Sequence, residues 1–264
     1  MSYSTGYIPD PEDHRVTSIR VKLAANVAVP DSVDHRPHSP DVLDQNGCGS
    51  CTGHAVAGAI TTAFSLAGDP LGFVVSPRNN YCLSRCIDRY DPDVPLVDQG
   101  AMPNQNVRAF SEYGLMPMRA PSPLGYNSDC DPSNVNNEPL LSELEEDAQH
   151  IVLGQYEITS GGAQRVQDIC AALAHNYPVT CSVSAGNSTW QTWRPENGPL
   201  GAQSPVNRDH YVRFIGYRTE NGGRVFRLRN QWGIGWGAGG DIEVTEAFVD
   251  QIGDIYAFSV RKAL

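Results

Sequence analysis

In the first half of the chain, apolar positions recur at helical spacing, and turn residues mark where each helix starts and stops. The Ala/Val/Ile-rich run 51–67 predicts a buried helix that ends before a Gly-Asp-Pro stop. Ser76 followed by Pro77 predicts the start of a second helix, with Ser76 as its N-cap. A third helix is predicted over 104–113, closed by Gly114.

In the second half, the pattern changes to the alternation typical of strands, with one helix predicted over 166–175. Helices followed by strands favour an α+β fold. We therefore expect an N-terminal extension (1–28), a mainly helical subdomain (29–150) and a strand-rich subdomain (151–264). The predicted strands cover 155–158, 179–184, 211–217, 225–229, 241–244 and 255–260.

One loop carries the strongest candidate for chemistry. A polar stretch with two glycines leads to Cys51, which directly precedes the apolar run of the first predicted helix. The N-terminus of a helix stabilises negative charge, so a thiol at this position is biased toward the reactive thiolate. Cys51 is therefore a candidate nucleophile. The alternative is that Cys51 forms a disulfide, which the odd number of cysteines, seven, disfavours.

Two later segments supply partners for this thiol. His210 begins a predicted strand, and Asn230 ends another, just before a Trp/Gly-rich turn. In this order, Cys51, His210 and Asn230 resemble the papain-like cysteine peptidases. Gln45, six residues before Cys51, matches the oxyanion glutamine of that family.

The resemblance extends over roughly residues 29–264. Residues 29–36 resemble the start of a mature papain-like domain, and 98–101 resemble its substrate-binding wall. The short extension and the Cys-Thr pair at 51–52 resemble a microbial or viral branch. The implied fold has a helical left subdomain and a β-barrel-like right subdomain, with the active site in the cleft between them.

The resemblance also implies a role for each residue. Cys51 would form a thioester acyl-enzyme, His210 would act as acid and base, and Asn230 would orient the imidazole. Gln45 would stabilise the oxyanion together with the backbone N–H of Cys51. No metal or cofactor is implied for this chemistry.

Four residues are predicted to contact an extended peptide or protein substrate: Gly100, Ala101, Asp209 and Trp232. Trp232 would also shield the His–Asn hydrogen bond from water. Thr52, Gln231 and Ala101 depart from the residues usual in the family. These departures leave two alternatives open, a catalytically weak binding protein of the same fold and an acyl or amide transferase with the same Cys-His-Asn site.

Charge narrows the range of partners. Thirty acidic and nineteen basic residues give a net charge of −11, which argues against nonspecific binding to nucleic acid or anionic membranes. Residues 138–147 hold much of the acid in a predicted amphipathic helix, which we interpret as a solvated face. No apolar run is long enough to span a membrane. We expect a monomer.

The cysteine count favours an extracellular or otherwise oxidising compartment, although the N-terminus does not predict a secretory signal peptide. The family resemblance implies a disulfide from Cys48 to the Cys82/Cys86 region. Cys170 and Cys181 are expected to pair with each other or to remain buried thiols; no pairing is assigned to Cys130. A zinc site at the cysteines of 82–86 is a weaker alternative, because no partner pair with suitable spacing follows.

The N-terminal extension reads as an extended arm that contains prolines. Its expected position is on the surface of the molecule. The alternative is that residues 1–28 contact the cleft and block it, since a papain-type propeptide inhibits its enzyme but is a larger folded domain.

Overall fold

The computed structural model describes residues 5–11, 17–18, 29–87, 98–118 and 149–262. The predicted loop over 119–139 and the predicted acidic helix over 138–147 lie outside these residues. In chain order the elements are β1 (Thr17–Ser18), β2 (Ser32–Asp34), α1 (Cys51–Leu66), α2 (Pro77–Cys86), α3 (Pro103–Tyr113), β3 (Ile151–Glu157), α4 (Gly162–Ala174), β4 (Val179–Val183), α5 (Ser188–Gln191), β5 (His210–Glu220), β6 (Gly223–Arg229), β7 (Asp241–Thr245), α6 (Glu246–Val249) and β8 (Gly253–Lys262).

Helix α1 is the central helix and is buried on nearly all sides. Its small residues allow this packing. A Cβ at Gly53 would come within 2.6 Å of the Pro77 carbonyl oxygen, so α2 can approach closely. A Cβ at Gly58 would lie 1.9 Å from the Arg213 guanidinium of the sheet. Helix α1 is therefore held between α2 and β5.

The ends of the first three helices follow local chemistry. The Ser76 side chain accepts a hydrogen bond from the Asn79 N–H at 3.2 Å, which confirms the predicted N-cap of α2. Gly114 follows α3 with φ of 81°, a conformation that favours glycine. Helices α1 and α3 begin and end within a few residues of the predicted positions, and α2 begins where its start was predicted.

The strands form one eight-stranded sheet among the described residues, in the order β1-β3-β8-β4-β5-β6-β7, with β2 paired to β5. Every pair is antiparallel except β1 with β3. The predicted α+β class is confirmed. The sequence did not predict β1 or β2, a short strand with exposed ends. It also did not predict the four-residue helices α5 and α6.

Two large apolar clusters stabilise the fold. One lies within the sheet and under α4, α5 and α6, and it contains Trp190, Trp232 and Trp236. The other joins α1 and α3 to β5 and β8, and it contains both Cys51 and Tyr211. This second cluster sets the N-terminus of α1 against the start of β5. Within the described ranges, no helix combines the length and apolar character needed to span a bilayer.

Candidate active site

Cys51 is the first residue of α1 and its side chain is fully buried. Backbone hydrogen bonds from Tyr211, Gly6 and Thr52 reach its thiol. Burial is the largest influence and raises the pKa of Cys51 from 9.0 to about 12, so in this structure the thiol is protonated. The contact with Tyr211 places the sulfur next to the first residues of β5.

His210, the first residue of β5, is also fully buried. Its Nε2 lies 2.8 Å from Oδ1 of Asn230, which follows the end of β6. Its Nδ1 finds no hydrogen-bond partner among the described residues. Burial lowers the pKa of His210 from 6.5 to about 4, so the imidazole is neutral in this structure. The ring is thus held through one nitrogen, and the other is left for a proton transfer.

Two neighbours of Asn230 complete the surroundings of the imidazole. The ring of Trp232 lies 4.8 Å from that of His210, and Trp232 is itself almost fully buried. The Gln231 side-chain amide nitrogen donates to the Tyr211 carbonyl at 2.8 Å and lies 3.1 Å from His210 Nε2. Gln231 therefore contacts the same ring nitrogen as Asn230, a contact that the sequence pattern did not indicate.

The loop that carries Gln45 is tied to the same turn. The Gln45 N–H donates to the Gln231 carbonyl at 2.8 Å, and Asp44 pairs with Trp232 as an isolated antiparallel bridge. The side-chain Nε2 of Gln45 donates to the Cys48 carbonyl at 2.6 Å. One of its two N–H bonds is thus used within the loop.

Asp98 braces the loop before Cys51 from the opposite side. Its two carboxylate oxygens accept the Gly49 N–H at 3.1 and 2.9 Å. It also accepts a short hydrogen bond from the Tyr81 hydroxyl. Glycine is needed here because a Cβ at Gly49 would lie 2.9 Å from the Asp98 carboxylate. The backbone that leads into Cys51 is therefore fixed from α2 and from the segment around Asp98.

Residues 5–11, called the arm below, contact the segment around Gly100 and the start of β5 instead of packing on the outer surface. The Gly6 carbonyl accepts from the Ala101 N–H at 3.0 Å, and the Ile8 N–H donates to the Ala101 carbonyl at 3.1 Å. The Tyr7 N–H donates to the Asp209 carbonyl oxygen, with 3.5 Å between nitrogen and oxygen. Our default expectation of surface packing is therefore wrong for these residues.

Gly6 fits this position because it has no side chain. A Cβ at Gly6 would lie 1.9 Å from the Gly49 carbonyl oxygen, and a Cβ at Gly100 would lie 2.1 Å from the Gly6 carbonyl oxygen. Two stretches of backbone thus approach each other beside Cys51. Sequence reasoning overlooked Gly6, because a single glycine in a polar arm carries no local pattern.

Farther along the arm, Asp10 is anchored to both halves of the molecule. Its carboxylate accepts from the Asn104 N–H at 3.2 Å and from the Tyr256 hydroxyl at 2.9 Å. Its own N–H donates to the Asp254 carboxylate at 3.2 Å. Burial is the main cause that raises the pKa of Asp10 to about 7. The arm is therefore held by hydrogen bonds at both ends.

The predicted substrate-contacting residues occupy distinct places. The backbone of Ala101 pairs with the arm. The Gly100 N–H instead donates to the Tyr81 hydroxyl, and the Gly100 carbonyl accepts from the Arg85 guanidinium. The Asp209 carboxylate accepts the N–H groups of Ala185 and Gly186, at 2.8 and 2.9 Å, so only its carbonyl faces the arm. Trp232 lies behind His210.

The cysteines differ from the expected pairing. Cys48 is in a disulfide, but Cys82 and Cys86 are thiols, so the implied bond between Cys48 and this pair is wrong. Cys82 and Cys86 lie one turn apart on α2. Cys170 and Cys181 are buried thiols, the second of the two expected outcomes. Among the described residues, no group of three or more His, Cys, Asp or Glu side chains could hold a metal ion.

Comparison with known families agrees with this arrangement. The family model described as papain family cysteine protease matches residues 29–253. The chain belongs to the papain family of cysteine proteases. Among curated relatives of this papain-family chain, cysteine proteinase RD21A of Arabidopsis thaliana is 23% identical and covers 92% of the chain and 48% of its own length. Cysteine proteinase B of Leishmania mexicana is 28% identical, and the match covers 90% of this chain and 49% of the proteinase.

Solved papain-family structures share the fold. Xylellain, a cysteine protease from Xylella fastidiosa, superposes with a TM-score of 0.72 at 22% identity, covering 98% of this chain and 96% of its own. Procathepsin B S9 from Trypanosoma congolense superposes with a TM-score of 0.69 at 16% identity. The match covers 98% of this chain and 87% of the procathepsin chain. The chain spans about half the length of the curated relatives it matches. The predicted papain-like fold is confirmed.

Proposed function

We propose that the protein is a cysteine endopeptidase that hydrolyses peptide bonds through a thioester on Cys51. The observation that carries this proposal is the pairing of His210 Nε2 with Asn230 Oδ1 at 2.8 Å. This pairing leaves Nδ1 without a partner among the described residues, on a strand whose next residue hydrogen-bonds the Cys51 thiol. Membership of the papain family supports the same chemistry.

In the proposed reaction, the Cys51 proton passes to Nδ1 of His210, and the thiolate attacks the substrate carbonyl carbon. The resulting oxyanion accepts hydrogen bonds from the Gln45 side chain and the Cys51 N–H. His210 then gives its proton to the leaving amine as the C–N bond breaks, which leaves a thioester. Water, deprotonated by His210, attacks the thioester and releases the acid and the thiol. Asn230 holds the ring in orientation throughout.

The test is covalent labelling of the full chain by an epoxysuccinyl inhibitor under reducing conditions, read by peptide mass spectrometry. We expect one added inhibitor mass on Cys51, lost in His210→Ala and retained in His175→Ala. His175 is the matched control, because its exposed ring bonds only the Ala171 carbonyl at the end of α4. No labelling of Cys51 would overturn the proposal. Labelling without cleavage of any peptide would instead favour a binding protein or a transferase.

We also propose that the arm blocks the cleft. Gly6 lies against the thiol, and Gly6 and Ile8 use the Ala101 backbone that an extended substrate would pair with. With the arm bound, burial keeps Cys51 and His210 uncharged. Release of the arm lets water reach both groups, which favours the thiolate and the imidazolium.

Gly6→Ala tests this block without touching the predicted catalytic residues. A methyl group at position 6 meets the Gly49 carbonyl, so we expect the arm to leave and the labelling rate of Cys51 to rise at least about tenfold. Gly201→Ala is the matched control, because a Cβ there meets nothing within 4 Å. An unchanged labelling rate in Gly6→Ala would remove the blocking role of the arm.

The remaining features of the proposal concern organisation and environment. We propose that 29–150 and 151–264 act as two subdomains flanking the site and that the substrate is an extended peptide or protein. The disulfide at Cys48 supports an extracellular or otherwise oxidising compartment. Only Val206 and Ile234 are exposed large hydrophobic residues in the described part of the chain, which supports a monomer.

A further inference from the structure

One side chain of the arm, that of Tyr7, contacts β5, β4 and β8, which are neighbours in that order in the sheet. Its ring stacks on the Tyr211 ring, with centroids 5.7 Å apart and an angle of 8° between the planes. Its hydroxyl donates a short hydrogen bond to Oδ2 of Asp254. The ring also packs against the apolar cluster that contains Cys51. We call the site formed by Tyr211 and Asp254 the tyrosine pocket.

The tyrosine pocket opens directly beside the predicted nucleophile. Gly6, the neighbour of Tyr7, hydrogen-bonds the Cys51 thiol, and the Tyr7 N–H faces the Asp209 carbonyl. A peptide bound along Ala101 in place of the arm would therefore direct one of the side chains nearest its reacting bond into this pocket. Tyr211 belongs to β5 and Asp254 to β8, so the two named residues of the pocket lie outside the arm.

The acceptor in the tyrosine pocket is fixed by its own backbone. Asp254 has a φ of 37°, and its carbonyl accepts the Tyr211 hydroxyl at 2.8 Å. Asp254 of β8 thus supplies the carboxylate of the pocket, and its carbonyl also holds the Tyr211 side chain in place. Burial and the Asp254 carboxylate raise the pKa of Tyr7, so the phenol stays protonated and can donate.

A phenol suits the tyrosine pocket better than a cationic side chain does. Arg208 already acts on the Tyr7 hydroxyl as a positive charge, and its guanidinium lies against Gly253, the neighbour of Asp254. A second cation would be repelled by Arg208. An aromatic ring without a hydroxyl would stack on Tyr211 but would leave the buried face of the carboxylate without a donor.

We infer that the tyrosine pocket is a specificity site and that Asp254 selects substrates with a tyrosine next to the cleaved bond. This inference rests on the proposed peptidase function and names the substrate class for that site. Tyr211 supplies the stacking surface for any aromatic residue. The Asp254 carboxylate distinguishes tyrosine from phenylalanine by accepting from the hydroxyl, which also hydrogen-bonds Ser182 of β4.

The first test measures cleavage by the full chain carrying Gly6→Ala, with quenched fluorescent peptides that differ only in Tyr, Phe or Arg at each position before the bond. We expect one position at which Tyr exceeds Phe and Arg in kcat/KM by about tenfold, since a hydrogen bond to a charged group contributes on that scale. Asp254→Gly in the same background removes the acceptor and tolerates the positive φ of this residue, so it should lower the Tyr/Phe ratio toward unity. Asp250→Gly is the control, because the Asp250 carboxylate accepts the Gly162 N–H at an exposed site.

The second test needs no catalysis. In the full chain carrying both Gly6→Ala and Cys51→Ala, we measure binding of a synthetic peptide with the sequence of residues 5–11. Replacing tyrosine by phenylalanine in the peptide should weaken binding about tenfold, and only when Asp254 is intact. Equal binding of both peptides, or a preference for arginine, would overturn the inference. Failure of Cys51 to label, with the binding difference intact, would count against the peptidase alone.

Discussion

The two walls of the cleft prepare their groups for chemistry in different ways. On the helix wall, which comprises the loop 44–50, the start of α1 and residues 98–101, backbone groups and missing side chains set the geometry around Cys51. On the strand wall, which comprises the start of β5 and residues 230–232, side-chain amides and an indole hold His210. Apart from Cys51 and Gln45, the helix wall should therefore tolerate changes of side chain except at its glycines and at Asp98. The strand wall should depend on the identity of each side chain.

The strand wall gives the largest expected effect. His210→Ala removes the proton carrier, and general acid–base catalysis contributes on the order of 10²–10⁴ in rate. We expect kcat/KM to fall by about 10³-fold or more in the Gly6→Ala background, measured well below the Tm of the variant, because truncation of this buried side chain also lowers Tm. His175→Ala should leave activity unchanged. Retention of a tenth or more of the activity in His210→Ala would contradict the assigned role.

On the helix wall, the proposed oxyanion donor is the Gln45 side chain, and the effect of its loss should be smaller. Gln45→Ala removes a donor to the oxyanion, a loss that typically costs about 2.7–4 kcal/mol in the transition state. We expect kcat to fall about 10²–10³-fold and KM to change little, measured with the same peptides. Gln45→Glu keeps the shape but loses the donor, and it should be equally impaired. A loss confined to KM would point to substrate binding instead.

Asp98, which accepts the Gly49 N–H, tests whether the backbone of the helix wall positions Cys51. Asp98→Ala frees the Gly49 N–H and the Tyr81 hydroxyl. We expect kcat to fall about tenfold, because hydrogen bonds to a charged group contribute about 1.5–3 kcal/mol, and Tm to fall as well. Asp69→Ala, at an exposed position just after α1, is the control. If Asp98→Ala lowers Tm alone, the brace stabilises the fold without positioning Cys51.

The smallest effect concerns the arm, which Asp10 anchors to α3 and β8. Asn104 of α3 and both Tyr256 and Asp254 of β8 face this carboxyl, whose pKa burial raises from 3.8 to about 7. The bound arm therefore holds the proton more tightly than the released arm. The arm therefore binds most strongly at a pH below 3.8, the pKa of Asp10 in the released arm. Its binding weakens as the pH rises from there through about 7, the pKa of Asp10 in the bound arm.

Labelling of Cys51 at pH 5 and pH 8 checks this linkage. From pH 5 to pH 8, we expect the labelling rate of the natural chain to rise at least about threefold more than that of Asp10→Asn, which has no proton to lose. Changes at Cys51 and His210 are common to both proteins and cancel in the ratio. Parallel pH profiles would show that Asp10 does not control the arm.

The features that the sequence could predict are those with a local pattern or a family-like order along the chain. Helix α1 and the strands of His210 and Asn230 were found because periodic apolar residues and caps are local patterns. The positions of Cys51, His210 and Asn230 along the chain pointed to one site because they match a family order. None of these features requires knowledge of which distant residues touch.

The features that escaped prediction all depend on contacts between segments far apart in the chain. Gly6 against Gly49, Tyr7 against Asp254 and Gln231 against His210 each join residues that have no shared local pattern. The pairing of Cys48 was mispredicted for the same reason, since spacing does not determine connectivity. The arm was assigned to the surface because its prolines and polar residues resemble an ordinary loop.

The full burial of Cys51 also bears on the lifetime of the protein before it acts. Oxidation of a cysteine to sulfenic and higher acids follows the accessibility of the sulfur and its thiolate character. A thiol with no exposed surface and a pKa raised to about 12 is a poor target for peroxide. If the arm blocks the cleft as proposed, the same glycine-mediated fit preserves the sulfur in its reduced form until the arm departs.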